Sequence, residues 1–160
     1  MMMREDSKED PSIFLSGPNQ WPPLERFREP LEAYHKTMKE LGFQLMKVAL
    51  HSVGAEQDDI LDAFQIPTTW LRLLHYPSSS GSSSEGLYGS APHVDFGCLT
   101  LLAQDDVGGL QVLYQEKEWL DVPCLPNSYV LNVGKMLHRL SNGLLLPTPH
   151  RVINHEMRER

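Results

Sequence analysis

Apolar residues recur every three or four positions over residues 24–48, which is the spacing of one face of an α-helix. The stripe consists of Leu24, Phe27, Leu31, Tyr34, Met38, Leu41, Leu45 and Val48. Pro22 and Pro23 suit the start of such a helix, and Gly54 suits its end. Pro30 and Gly42 interrupt the pattern, so a kink or a division into two shorter helices is expected. We interpret this segment as a helix that covers a core and assign it no chemistry.

Beyond Pro67 the helical spacing gives way to short runs rich in β-branched and aromatic residues, separated by turn signals. The predicted strands lie at 68–76, 98–104, 110–114, 118–122, 128–134 and 149–154. Short helices are predicted at 58–64 and 135–140, and the serine-rich stretch 78–86 is predicted to be a flexible loop. Short strands at regular spacing favour a sandwich or a small barrel. The fold class is therefore expected to be mainly β with N-terminal helices.

Composition narrows the class of protein. The chain has 160 residues, 41% hydrophobic and 22% charged, which is enough for a domain with a core and argues against global disorder. A net charge of −7 disfavours a nucleic-acid or anionic-membrane partner. No run of about 18 apolar residues is present, so no membrane span is expected. The N terminus is charged and lacks an apolar signal core. Cys98 and Cys124 follow no paired or metal-binding pattern, which favours a reducing, cytoplasmic location.

The stretch APHVDFG, residues 91–97, separates a histidine and an aspartate by one residue. On a strand, residues i and i+2 point to the same face, so His93 and Asp95 can reach one point in space. One nitrogen and one oxygen ligand suit a first-row metal ion such as Fe(II). The alternative interpretation is a polar pair at the end of a strand, because this spacing is common by chance.

A third ligand would have to come from another part of the chain. The remaining histidines are His35, His51, His75, His138, His150 and His155. His35 and His51 lie in the helical region and His138 lies in a helical segment, whereas His150 opens a predicted strand. Two histidines and one carboxylate form the facial triad of non-haem iron oxygenases, which leaves coordination positions open for substrates. His150 is therefore the best geometric candidate to join His93 and Asp95.

Three longer stretches carry a resemblance to a known family: PHVDFGCLTLLAQDDVGGLQV, WLDVPCLPNSYVLNVG and SNGLLLPTPHRVIN. In residues, order and spacing they resemble the 2-oxoglutarate- and Fe(II)-dependent dioxygenase superfamily, in particular its isopenicillin N synthase-like branch. The stretch GPNQWP at 17–22 and the long helix after it also resemble that branch. The resemblance covers about residues 14–160. It implies a double-stranded β-helix, the jelly-roll fold shared with cupins, with His93, Asp95 and His150 as iron ligands.

The resemblance also implies 2-oxoglutarate as co-substrate. In the family, its far carboxylate pairs with the arginine of an RxS motif beyond the distal histidine, and the matching residue here is Arg160. A tyrosine before the HxD motif helps to hold the co-substrate, and Tyr76 matches it, although its usual asparagine partner is replaced by Leu74. Arg72 and Phe96 are candidates for the substrate pocket, and a core or surface role is the alternative for each.

The sequence also departs from the family pattern. The RxS serine would stand at position 162, two positions beyond Arg160, the last residue given. The last strand of the jelly roll is therefore expected to be missing. The GD pair of the family is Gly134 followed by Lys135, and the tryptophan of its RWSNG pattern is Leu140. The expected organisation is a disordered lead-in over 1–20, a helical support region over 21–65 and an Fe(II)/2-oxoglutarate jelly-roll domain over 66–160.

The function implied by the resemblance is an oxygenase that uses O2 and 2-oxoglutarate. It would oxidise a C–H bond of a small organic molecule by hydroxylation, desaturation or ring closure, releasing succinate and CO2. Two alternatives stay open: a catalytically silent iron-binding fragment, because the co-substrate strand is cut, and a non-enzymatic cupin-like binding module. The sequence does not indicate which substrate is used.

Overall fold

The computed structural model describes residues 2–4, 17–55, 58–62, 64, 67–78, 88–154 and 159. Contacts divide the chain into two units. The first comprises residues 1–51 and 56–74, and the second comprises residues 52–55 and 75–160. The three-part organisation expected from the sequence stays a prediction. Of the expected lead-in, the structure describes residues 2–4 as a strand and residues 17–20 as irregular chain.

The first unit is built on one long helix, α1 (Arg28–Ser52), which runs without a break. Pro30 does not interrupt it, because the first turn of a helix contains N–H groups that have no intrahelical partner anyway. Its buried side chains are His35, Met46 and Leu50, so the helix does not bury the predicted apolar stripe as a whole. Burial of His35 is offset by a hydrogen bond between its Nε2 and the Thr69 hydroxyl, at 2.9 Å.

A short helix and a two-stranded sheet complete the first unit. Helix α2 spans Asp58–Asp62. Strand β1 (Met2–Arg4) pairs antiparallel with β2 (Trp70–Arg72). The sequence predicts a strand over 68–76, but the paired part is confined to three residues. None of the helices in the described residues is both long enough and apolar enough to cross a lipid bilayer.

The described residues of the second unit form six strands and one short helix. They are β3 (Tyr88–His93), β4 (Leu99–Leu102), β5 (Leu110–Tyr114), β6 (Glu118–Asp121), β7 (Val130–Val133), α3 (Lys135–Leu140) and β8 (His150–Ile153). Most lie within a few residues of the predicted segments, since each is bounded by local turn signals. The β5–β6 turn is an example: Gln115 and Glu116 both adopt positive φ, and the Lys117 N–H donates to the Tyr114 carbonyl.

These strands form two antiparallel sheets. One has four strands in the order β3-β8-β5-β6, and the other pairs β4 with β7. The chain passes from one sheet to the other between β3 and β4, returns between β4 and β5, and crosses twice more before β8. Leu110 in β5 and Leu137 in α3 are the most buried apolar residues of this unit. As a result, the ends of strands that are distant in sequence, β3 and β8, lie side by side.

Candidate metal centre

The two histidines of the predicted triad lie opposite each other on neighbouring strands. His93 is the last residue of β3 and His150 is the first residue of β8, and the two form a directly facing antiparallel pair. Facing residues of a strand pair present their side chains to the same side of the sheet. The imidazole rings are accordingly adjacent, with centroids 4.4 Å apart and planes inclined by 57°.

This pairing depends on irregularities in β3. Three pairs define the register: Tyr88 with Ile153, Ser90 with Val152, and His93 with His150. The register shifts in both intervals, each time with an additional residue on β3. If the register at Tyr88 continued unshifted, His93 would face Thr148 instead of His150. The bulges therefore align the two imidazoles, a typical use of β-bulges beside active sites.

Asp95 reaches the histidines from a turn, not from a strand. The predicted reason for its proximity, two residues on one face of a strand, is wrong because β3 ends at His93. The turn is fixed by the segment that enters α3: the Lys135 N–H donates to the Asp95 carbonyl at 2.8 Å, and the Gly134 N–H donates to the Cys98 carbonyl at 2.8 Å. The approach is so close that a Cβ on Gly134 would lie 2.0 Å from the Gly97 oxygen.

The three side chains bring their ligand atoms together, as predicted. Asp95 Oδ1 lies 3.8 Å from His93 Nε2 and 3.7 Å from His150 Nε2, and the ligand atoms all lie within 4.8 Å of one another. The surroundings differ: the His150 side chain is 5% exposed, Asp95 18% and His93 43%. The group is therefore anchored on its His150 side and open to solvent on its His93 side.

Backbone carbonyls fix which nitrogen of each ring is free. His93 Nδ1 donates to the Ala91 carbonyl at 2.7 Å, and His150 Nδ1 donates to the Thr148 carbonyl at 3.0 Å. Because a carbonyl only accepts, each Nδ1 carries a proton, so in the neutral ring the lone pair is on Nε2. Both lone pairs are on the atoms that lie near Asp95. Carbonyls that orient metal-binding histidines in this way are a common outer-shell feature of metal sites.

The carboxylate of Asp95 supplies a further indication of a cation. Its Oδ2 is buried, and no hydrogen-bond partner for it exists among the described residues. A buried carboxylate oxygen without a partner is costly unless a cation compensates it. Metal–ligand distances of about 2.0–2.2 Å place neighbouring ligand atoms about 3 Å apart. The observed 3.7 and 3.8 Å exceed this by less than 1 Å. The two imidazoles and the carboxylate thus fit a divalent first-row ion such as Fe(II).

Of the four other predicted site residues, the structure describes Tyr76, Phe96 and Arg72. Tyr76 is half-buried, and its ring packs against β3, where a Cβ on Gly89 would lie 2.7 Å from a ring carbon. Phe96 is 75% exposed. Arg72 is exposed at the end of β2, in the first unit. Arg160 lies outside the described residues.

A cavity adjoins the turn that carries Asp95. Its volume is 460 Å³, and it is lined by Phe96, Lys135, Met136, His138, Arg139 and Pro147. Two of these residues are close to ligands in sequence, because Phe96 follows Asp95 and Pro147 precedes His150 by three positions. Phe96 was predicted from the sequence as a pocket residue, whereas the cavity-lining residues of α3 were not predicted. The replaced GD pair before α3 was the available signal, because it marks the segment that holds the Asp95 turn.

Sequence comparisons with known proteins identify the family. The profile of the 2OG-Fe(II) oxygenase superfamily matches residues 67–160. The 2-oxoglutarate-Fe(II) type oxidoreductase hxnY of Emericella nidulans is 38% identical over 151 residues, covering 91% of this chain and 43% of that protein. Several further curated relatives are dioxygenases of the same type, and this chain spans about half the length of those it matches.

Solved structures support the fold over nearly the whole chain. A full-length Neurospora crassa protein, crystallised in complex with alpha-KG and 5-formyluracil, superposes with a TM-score of 0.82 at 27% identity, covering 98% of this chain and 51% of that one. JOX2 in complex with 2OG, Fe and JA has a TM-score of 0.78 at 30% identity, covering 88% of this chain and 42% of that one. These likenesses confirm the predicted double-stranded β-helix with N-terminal helices. The chain belongs to the 2OG-Fe(II) oxygenase superfamily.

Proposed function

We propose that the protein is a non-haem Fe(II)- and 2-oxoglutarate-dependent oxygenase that oxidises a C–H bond of a small organic molecule with O2. The observation that carries this proposal is the convergence of His93, Asp95 and His150. Their ligand atoms lie within 4.8 Å of one another, and Asp95 Oδ2 is buried without a partner among the described residues. Membership of the superfamily supplies the identity of the metal and the co-substrate.

In this proposal the three side chains hold Fe(II) through His93 Nε2, His150 Nε2 and the Asp95 carboxylate. Bound metal, 2-oxoglutarate and O2 would supply the oxidising chemistry, in which O2 is consumed, 2-oxoglutarate is converted to succinate and CO2, and the substrate is hydroxylated, desaturated or cyclised. The buried His150 provides rigidity, and the carbonyls of Ala91 and Thr148 keep both imidazoles in the ligating tautomer. The exposed side of His93 leaves room for co-substrate and substrate.

The remaining predicted roles belong to the same proposal. Arg160 is assigned the far carboxylate of 2-oxoglutarate, because a guanidinium binds a carboxylate through two parallel hydrogen bonds. Tyr76, which packs on the strand that ends in His93, is assigned a second contact to the co-substrate. Phe96 is assigned to the substrate side, since it lines the cavity beside the Asp95 turn. Arg72 stays a prediction for the substrate pocket.

The two alternatives are less well supported. The relatives are named as 2-oxoglutarate-dependent oxygenases, so neither a catalytically silent fragment nor a cupin-like binding module is favoured. We also infer that the protein acts on small molecules in the cytoplasm, without nucleic acid or membrane as a partner. Its net charge of −7 and its two free cysteines support that inference.

Metal binding and co-substrate turnover test the proposal together. The chain is titrated with Fe(II) under anaerobic conditions, and succinate formation from 2-oxoglutarate is then followed after addition of O2. H93A, D95A and H150A are expected to abolish both stoichiometric iron binding and succinate formation. H51A, which removes an exposed histidine of α1, serves as the matched control and is expected to retain both. Iron bound equally well by H93A and H150A would refute the assigned ligand set.

A further inference from the structure

We propose that Arg151 is a positioning residue that holds β3 in the register in which His93 faces His150. The inference rests on the proposed function, because it concerns the assembly of the same metal centre. Arg151 follows His150 directly on β8. Since neighbouring residues of a strand point to opposite faces, its side chain lies on the face away from the imidazole.

The guanidinium of Arg151 contacts all three of the other strands in its sheet. Toward β3, its Nη1 donates to the Tyr88 hydroxyl at 3.3 Å. Toward β5, its Nε donates to Gln111 Oε1 at 2.8 Å. Toward β6, it stacks over the Trp119 ring, 4.1 Å from the centroid. Gln111 is in turn fixed by Asp121, because its Nε2 donates to Asp121 Oδ1 at 2.9 Å. The Arg151 guanidinium therefore links side chains of both edge strands, β3 and β6, to β8.

The connection to β3 is the one that matters for the metal centre. β3 is an edge strand, and its only partner in the described sheet is β8. Two register shifts within its six residues leave few regular ladder bonds to define where it sits. Strands with weakly specified register are prone to slip. Arg151 attaches Tyr88, at the start of β3, to a fixed point on β8.

A slip of β3 would directly damage the proposed ligand set. If β3 slid along β8 as a whole by two residues, Tyr88 would leave Ile153 and His93 would leave His150. Two residues along a strand correspond to about 6.6 Å, far more than a metal site tolerates. By fixing Tyr88, Arg151 contributes to the facing of the two imidazoles without touching the metal or the substrate.

Arginine is suited to this role and lysine is not. A guanidinium stacks on an aromatic ring while its edge donates hydrogen bonds in the plane of the group. An ammonium keeps the charge but cannot stack on Trp119 and donate to Gln111 and Tyr88 in the same arrangement. R151K therefore separates the geometry of the side chain from its charge, and R151M removes both while retaining a long apolar stem.

The test measures metal affinity and ligand geometry separately from stability. Co(II) is used as the probe, because its visible absorption spectrum reports the number and arrangement of ligands. R151M and R151K are titrated with Co(II), and their thermal unfolding is followed without metal. R28M is the matched control, since Arg28 is also an arginine over a tryptophan, 5.3 Å from the Trp21 centroid, but lies on α1.

We expect R151M to bind Co(II) about 10-fold more weakly, in line with the effect of removing groups that orient metal ligands, and to show an altered visible spectrum. R151K is expected to recover the unfolding temperature more fully than the Co(II) affinity. R28M is expected to match the wild type in both affinity and spectrum. Loss of stability in R151M and R151K with unchanged affinity and spectrum would show a merely structural role and overturn the inference.

A second variant keeps the inference testable if R151M fails to fold. Y88F removes the hydroxyl that Arg151 Nη1 contacts and keeps the ring, whose centroid lies 5.6 Å from the guanidinium carbon. It is therefore expected to fold and to weaken Co(II) binding by a few-fold. If the wild type binds Co(II) and R151K and Y88F bind it with the same affinity, the role of Arg151 is overturned. The proposed metal centre is not affected by that result. A wild-type chain that binds no Co(II) would overturn the proposed function, and this inference with it.

Discussion

Replacing Gly134 with alanine is expected to displace the turn that carries Asp95. The added Cβ would lie 2.0 Å from the Gly97 oxygen and 2.7 Å from the Gly97 carbonyl carbon. Both are backbone atoms, so no side chain can rotate away to relieve the contact. Because non-bonded carbon and oxygen atoms are separated by about 3 Å or more, the two segments must move apart by about 1 Å.

The energetic cost follows from the contacts between these two segments. Overpacking of a closely fitted site costs about 1–3 kcal/mol. The movement also stretches the hydrogen bonds from Gly134 to Cys98 and from Lys135 to Asp95, each 2.8 Å long. Each bond contributes about 1 kcal/mol. G134A is therefore expected to lower the free energy of unfolding by about 3–5 kcal/mol, by the sum of these two effects. Asp95 moves with the turn, so metal binding weakens as well.

Urea denaturation followed by circular dichroism measures the stability, and Co(II) titration measures the site. G97A is the matched control, because it adds a Cβ to the same turn but meets no atom within 4 Å. Its stability is expected to stay within about 0.5 kcal/mol of the wild type, with unchanged Co(II) affinity. Equal behaviour of G134A and G97A in both assays would refute the reasoning, since only one of them enters occupied space.

Three further predictions concern other positions. G42A is expected to raise the free energy of unfolding by about 1 kcal/mol, because alanine favours a helix interior over glycine and its Cβ meets no atom within 4 Å; a thermal unfolding temperature at or below the wild-type value would contradict this. G89A is expected to push away the Tyr76 ring, whose carbons would lie 2.7 and 2.8 Å from the new Cβ, and to weaken 2-oxoglutarate binding several-fold in calorimetric titrations of the metal-loaded protein; unchanged affinity would remove Tyr76 from the co-substrate site. Burial raises the pKa of the Cys98 thiol, so its alkylation by iodoacetamide is expected to rise at higher pH than that of a free thiol. Since the pKa is higher in the folded state than in the unfolded state, the stability that this thiol contributes is present at neutral pH and is lost as pH rises through the folded-state value. A pH profile of alkylation that coincides with the free thiol would exclude this effect.

Local signals were enough to predict most elements of the second unit. Helix α3 was predicted at 135–140 and observed at Lys135–Leu140. The β5–β6 hairpin was predicted over 110–122 and observed over 110–121. In both cases the boundaries are set by residues within the segment itself: a glycine before the helix, and a polar turn between two apolar strands. Such information is carried by neighbouring positions and can be read without knowledge of the fold.

The buried face of α1 could not be predicted from the sequence in the same way. Apolar spacing predicts a stripe that includes Leu41 and Val48, yet both are exposed. His35 is buried because Thr69, 34 positions later, supplies its hydrogen bond. A pattern within one helix cannot indicate which partner segment packs against it. The face that becomes buried is decided by tertiary contacts, and these override the amphipathic preference.

In the candidate site, too, some features could be predicted from the sequence and others depend on tertiary contacts. Its three residues were predicted from the HxD spacing, the position of His150 and the family resemblance, and the structure brings their ligand atoms together. The reason predicted for the proximity of Asp95 was nevertheless wrong, because this residue lies beyond the end of β3. The bulges of β3 and the contact at Gly134 involve pairs of distant segments. A single sequence gives no indication of how such segments meet.

The three ligands of the proposed centre are held in position in different ways. His93 depends on the shifted register of β3 against β8, which itself needs a tether such as Arg151. Asp95 depends on a turn that only a glycine at position 134 allows to approach α3. His150 is buried and is the one ligand that starts a regular strand. Because these constraints are independent, losing one is expected to misplace one ligand and leave the other two in position. Variants at Gly134 and Arg151 should therefore retain residual metal binding with altered ligand geometry, whereas removal of a ligand should abolish binding.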